Sequence, residues 1–117
     1  MTIRRMKTYT GGQGYVYQYY FVGKRAAVAE PSAAEYIFDV TADRKTTFSV
    51  SIFLPDEALR FWTAAHRRSL TGAEQYGAVK MRLFRAFDEI EDMMAAGREL
   101  RIETPDLEPL LSALGVQ

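Results

Sequence analysis

The chain has 117 residues, with 15 Lys and Arg against 15 Asp and Glu and no cysteine. The missing cysteines exclude disulfide frameworks, thiolate metal sites and cysteine nucleophiles, and a hydrophobic content of 48% excludes a disordered chain. The formal charge of zero sums two unlike regions: residues 1–29 hold Arg4, Arg5, Lys7, Lys24 and Arg25 and no acid (+5), whereas residues 30–117 hold ten bases and fifteen acids (−5).

The first predicted element is a strand over residues 15–22, Tyr-Val-Tyr-Gln-Tyr-Tyr-Phe-Val, β-branched and aromatic on both faces. The glycine-rich segment Thr10-Gly11-Gly12-Gln13-Gly14 precedes it as a loop, and an Ala-rich connection containing Pro31 follows. Residues 35–41 alternate as a second strand. After the turn chemistry of Ala42-Asp43-Arg44-Lys45, residues 47–54 form a third, with Phe48, Val50, Ile52 and Leu54 on one face. Pro55-Asp56-Glu57 stops that strand and opens a helix in which Leu59, Trp62, His66 and Leu70 fall within about 80° of arc. Thr71-Gly72-Ala73-Glu74 fits a capping box, in which the threonine hydroxyl accepts the N3 amide and the glutamate reaches back. From there Tyr76, Val79, Leu83, Phe87, Ile90 and Met94 recur at helical spacing to Gly97, a helix of about 25 residues and about 37 Å. A short strand over 98–103 follows. Thr104-Pro105-Asp106 then begins a last helix that buries Leu107, Leu110, Leu111 and Leu114.

The order β-β-β-α-α-β-α predicts a single α+β domain over residues 1–117: a single-layer antiparallel sheet of three to four strands covered by a long helix. No apolar run nears the roughly 18 residues of a membrane span, and the N-terminal segment lacks the apolar stretch of a secretory signal. A cytoplasmic protein without a membrane partner is expected.

Gly11-Gly12-Gln13 is similar to the tripeptide with which release factors reach the peptidyl-tRNA ester. The resemblance ends after those three residues, and the flexible-turn reading is preferred because glycine suits positive φ. Gly12-Gln13-Gly14 also lacks the third glycine, preceding strand and following helix of a dinucleotide fingerprint. The tyrosine strand points to two surfaces. Gln13, Tyr15, Tyr17, Tyr19, Lys24 and Arg25 form a candidate ligand or partner surface, and aromatic rings flanked by bases are also the ingredients for stacking single-stranded nucleic acid. The competing expectation packs Tyr15, Tyr17, Tyr19 and Phe21 beneath the long helix.

His66 is the sole histidine, so polyhistidine metal binding is excluded and general-base chemistry needs a carboxylate or tyrosine from another element. Asp39, an acid inside a strand, is the partner named from sequence. The long helix carries Lys80, Arg82 and Arg85 in its first half and Asp88, Glu89, Glu91 and Asp92 in its second, against the macrodipole. Pairs within the chain, Arg85 with Glu89 or Arg98 and Arg101 folding back on the acids, would compensate. So would an antiparallel second copy, with Met81, Phe84, Arg85, Asp88 and Asp92 as the dimer seam. The sequence thus leads to a non-catalytic, homodimeric interaction module without cofactor or metal. A small hydrolase-like enzyme built on His66 and a single-stranded nucleic-acid binder are the alternatives.

Overall fold

A computed structural model describes residues 6–117; Arg4 and Arg5, two of the five N-terminal bases, lie outside them. The elements in chain order are β1 (Lys7–Thr10), β2 (Val16–Ala26), β3 (Ala33–Thr41), β4 (Phe48–Pro55), α1 (Asp56–His66), α2 (Gly72–Glu89), α3 (Met93–Ala96), β5 (Glu99–Arg101) and α4 (Thr104–Ser112). This is an α+β fold with one five-stranded sheet in the order β1-β2-β3-β4-β5. The first four strands run antiparallel, and β5 joins β4 in parallel after the chain crosses over through the helices.

Register follows from the apolar alternation. Tyr9 lies opposite Tyr17, Tyr19 opposite Val40, Phe38 opposite Val50 and Ile52 opposite Leu100, so these side chains share one face. That face packs against α1, α2 and α4 through Trp62, Val79, Leu83, Phe87, Leu107 and Leu111, all buried. Rings dominate the layer: Tyr17 stacks on Phe87 with centroids 4.2 Å apart, and Tyr76 stacks on Phe38 at 6.3 Å. The opposite face carries Val16, Gln18, Tyr20 and Val22 from β2, Glu35, Ile37 and Asp39 from β3, and Ser49, Ser51 and Phe53 from β4, with no helix across it among the described residues.

Leu114, expected to be buried by the last helix, lies beyond its end at Ser112 and is 43% exposed, and four larger details also depart from the sequence expectation. The sheet has five strands and is mixed rather than a three- to four-stranded antiparallel one. Its extra strand, β1, has only four residues and becomes a strand because the glycine loop folds it onto β2, with Gly11 N–H donating to Tyr15 O at 2.8 Å and Gly14 N–H to Gly11 O at 3.0 Å. The second strand continues to Ala26 past an irregularity between Phe21 and Gly23. The first helix ends at His66, where Arg67 takes a left-handed conformation (φ 59°), and Leu70 is buried from the following loop instead.

The long helix is the fourth departure. It ends at Glu89 after 18 residues, about 27 Å, where Ile90 turns extended (φ −95°, ψ 116°). Asp92 then caps α3 through Ala95 N–H at 3.1 Å, which restarts the chain in a new direction. The capping box at the other end is present: Thr71 Oγ1 accepts Glu74 N–H at 3.1 Å and Glu74 Oε1 accepts Thr71 N–H at 2.9 Å. In α4 the cap is Glu103, one residue ahead of Thr104, with Asp106 completing the box.

Candidate functional site

The glycine loop serves the end of α2. Asp88 accepts the Gly12 N–H at 2.8 Å and the Tyr9 hydroxyl at 3.0 and 2.9 Å, while Gln13 Nε2 donates to the Glu89 carbonyl at 3.3 Å. Donors from the loop thus meet the acid and carbonyl that sit at the negative end of the helix dipole. Burial together with the Asp88 hydrogen bond raises the Tyr9 pKa, so Tyr9 stays a donor at neutral pH.

The tyrosine strand is divided between core and solvent. Tyr17 and Tyr19 are 2% and 5% exposed, their rings committed to Phe87, Phe84 and Phe38, because odd positions of β2 face the helices. Tyr15, 46% exposed at the strand's open end, is the tyrosine of this face that keeps a ring in solvent. The bases named with it lie at the other end: Lys24 sits 5.3 Å from the Tyr36 centroid and Arg25 Nε donates to Glu35 at 2.8 Å. Ten residues of strand separate Arg25 from Tyr15, about 30 Å. A ligand at Tyr15 therefore does not meet Lys24 or Arg25.

What surrounds Tyr15 is acidic. A cleft of about 640 Å³ opens between Tyr15 with the start of β2, the β3–β4 turn and the α2–α3 junction. Its floor is Tyr17, Phe48 and Met93, its rim Tyr15 and Met94, and its charged lining is Asp43, Glu91 and Asp92, with no base. Asp43 is held ionised by the backbone N–H groups of Thr46 and Lys45, at 2.7 and 2.8 Å, which lower its pKa. Burial, then the neighbouring Tyr15 and Asp92, raises the Tyr17 pKa and keeps its hydroxyl neutral. Arg98, whose guanidinium lies 5.9 Å from the Phe48 centroid, is spent on the Ser49 carbonyl at 2.6 Å.

His66 and Asp39 are not brought together, since Asp39 belongs to the sheet face opposite the helices. The carboxylate that His66 does meet is Glu108 of α4, 2.8 Å from Nε2. His66 also stacks on Trp62 at 4.0 Å, beside a small cleft of about 210 Å³ that includes Thr104. The pair could exchange a proton with a bound group, but Glu108 is largely solvated, and the contact ties α1 to α4 across the layer.

The seam residues on α2 are engaged within the chain. Phe84 stacks on Tyr9 at 4.4 Å, Arg85 faces Asp106 at 3.6 Å rather than Glu89, and Asp88 and Asp92 are taken as described above. Arg98 and Arg101 also turn elsewhere, Arg101 to Glu30 at 2.6 Å. Met81, Phe84, Arg85 and Asp88 line a shallow groove of about 370 Å³ between β1, α2 and α4. Among the described residues no group of three or more His, Asp or Glu side chains is placed to hold a metal ion, and no helix is long and apolar enough to cross a membrane.

Protein-family models, curated proteins and solved structures offer no match to this chain. Sequence reasoning found Tyr15 and Tyr17 but missed Asp43, Glu91 and Met94. The signal it lacked was a helix break after Glu89, which turns 91–94 from a helix face into a wall.

Proposed function

We propose that this protein is a non-catalytic interaction module that works as a homodimer through the sheet face that no described helix covers. The observation that carries the reading is one-sided cover: the helices lie on one face, while on the other Val16 and Val22 are 42% and 47% exposed beside half-buried Tyr20, Ile37 and Phe53. Apolar side chains set on three adjacent strands gain free energy when they are covered, at about 25 cal/mol per Å².

A second copy suits it. The chain is neutral overall, so two copies meet without net repulsion. Strands of 8 to 11 residues are about 30 Å long. Three strands side by side add a width of about 14 Å, so two such faces would bury about 850 Å², the size of a weak, transient interface. Weak, concentration-dependent association follows. Sedimentation equilibrium should give the dimer mass at high micromolar concentration and dissociation on dilution. Val22→Glu, at an exposed position, should give a folded monomer. A wild-type monomer throughout, or a V22E dimer of unchanged affinity, would remove the proposal.

A further inference from the structure

We propose that the cleft beside Tyr15 is a binding site for a small organic amine, protonated and carried on an apolar body. The site is distinct from the sheet face assigned to dimerisation and stands independently of it. Its volume of about 640 Å³ suits a small organic molecule. Three features select the ligand class.

The first is charge. Asp43, Glu91 and Asp92 line the cleft, and no Lys or Arg does. Asp43 already receives three hydrogen bonds and Asp92 caps α3, whereas Glu91 is exposed and makes no hydrogen bond or ion pair among the described residues. Glu91 is therefore the carboxylate with free capacity for an N–H donor. Because these acids do not gather around one point, they fit a ligand with a directional ammonium better than a bare metal ion.

The second feature is Tyr17. It is 98% buried by its 2% exposure, yet its hydroxyl makes no hydrogen bond among the described residues and is not sealed from solvent. Tyr17 lines the cleft, and the groups that act on its hydroxyl are Tyr15 and Asp92, both lining it too. An unpartnered phenol oxygen at the mouth of a buried ring is an acceptor awaiting a donor.

The third feature is the apolar surface. The rings of Tyr15 and Tyr17 stand 6.3 Å apart at 58° and form a corner. Tyr15 and Met94 are both half exposed, so they offer a ring face and a thioether to the body of the ligand. An ammonium would then donate to Glu91 and to Tyr17 Oη while its carbon chain lies along Tyr15 and Met94. An anion of the same shape would meet three carboxylates.

The test uses three ligands with one ring and different head groups: phenethylamine, 2-phenylethanol and 3-phenylpropionate. Titration at neutral pH, followed by amide and methionine-methyl chemical shifts, should show saturable binding of the amine, with shifts at Tyr15, Glu91 and Met94. The alcohol should bind at least about threefold more weakly and the carboxylate not at all. Glu91→Gln should weaken the amine about two- to fivefold and leave the alcohol unchanged, the scale of one exposed ion pair. Tyr15→Ala should weaken amine and alcohol together. Equal binding of amine and alcohol, an E91Q variant with unaltered preference, or no saturable shift up to about 10 mM amine would overturn the assignment.

Discussion

Gly11 shows how a single residue carries a tertiary constraint. A Cβ built there would lie 2.7 Å from the Phe87 carbonyl oxygen, a backbone atom of α2 that cannot swing aside. Gly14 meets no such neighbour, but its φ of +90° disfavours side chains for a conformational reason. The tripeptide Gly11-Gly12-Gln13 is thus accounted for by close approach and hydrogen bonding to α2. Gly11→Ala should lower the unfolding free energy by about 1–3 kcal/mol, since overpacking of this kind forces backbone movement, and urea denaturation will measure it. A side chain at Gly12, 3.6 Å from Asp88 Oδ1, would make an ordinary contact, so Gly12→Ala should cost less than G11A.

At the scale of elements, the reversed charge order of α2 finds its partners inside the chain. Asp88 holds β1 through the Tyr9 hydroxyl and holds the glycine loop through Gly12 N–H, and Arg85 faces Asp106 on α4. Removal of Asp88 leaves two donors without their acceptor, so Asp88→Ala should cost about 1–3 kcal/mol. The loss should be local. Hydrogen exchange is expected to speed up in β1 and the glycine loop while α1 and β4 keep their protection, because β1 is an edge strand held by one neighbour and this clamp. The loop also reaches the last residue of α2, where Gln13 Nε2 donates to the Glu89 carbonyl at 3.3 Å.

For the whole molecule, three carboxylates held in ion pairs link folding to pH. Glu35 is 6% exposed and accepts Arg25 Nε at 2.8 Å and Ser51 Oγ at 2.6 Å, which lower its pKa against the opposing effect of burial. The Arg68 guanidinium and the Thr71 amide hold Glu74 down from 4.5 to about 2, and Glu30 is lowered by Arg101. A carboxylate that ionises more readily folded than unfolded adds stability that is complete above its unfolded value and vanishes as pH falls through its folded one. Stability should therefore be level above pH 4.5 as far as these groups are concerned and decline steadily from there towards pH 2. Urea midpoints across that interval will test it. Glu35→Gln should flatten part of the decline, since an amide has no proton to gain.

Local chemistry was legible in the amino-acid sequence alone. Alternation placed Phe48, Val50, Ile52 and Leu54 on one face, the Thr71 and Glu74 pair marked the start of α2, and the mixture of strand and helix periods implied an α+β fold. These signals act over two to four residues, so short windows contain them. Contacts between distant segments decided the rest. Tyr9 and Asp88 are 79 residues apart in the chain, Gly12 and Asp88 76, and His66 and Glu108 42. No periodicity encodes such pairs. They made a strand of Lys7–Thr10, gave His66 a carboxylate other than Asp39, and turned Tyr17 into core while leaving Tyr15 at the mouth of an acidic cleft. A strand's two faces are written in its residues, but which face a helix covers, and how far along it, is settled only when the layers pack.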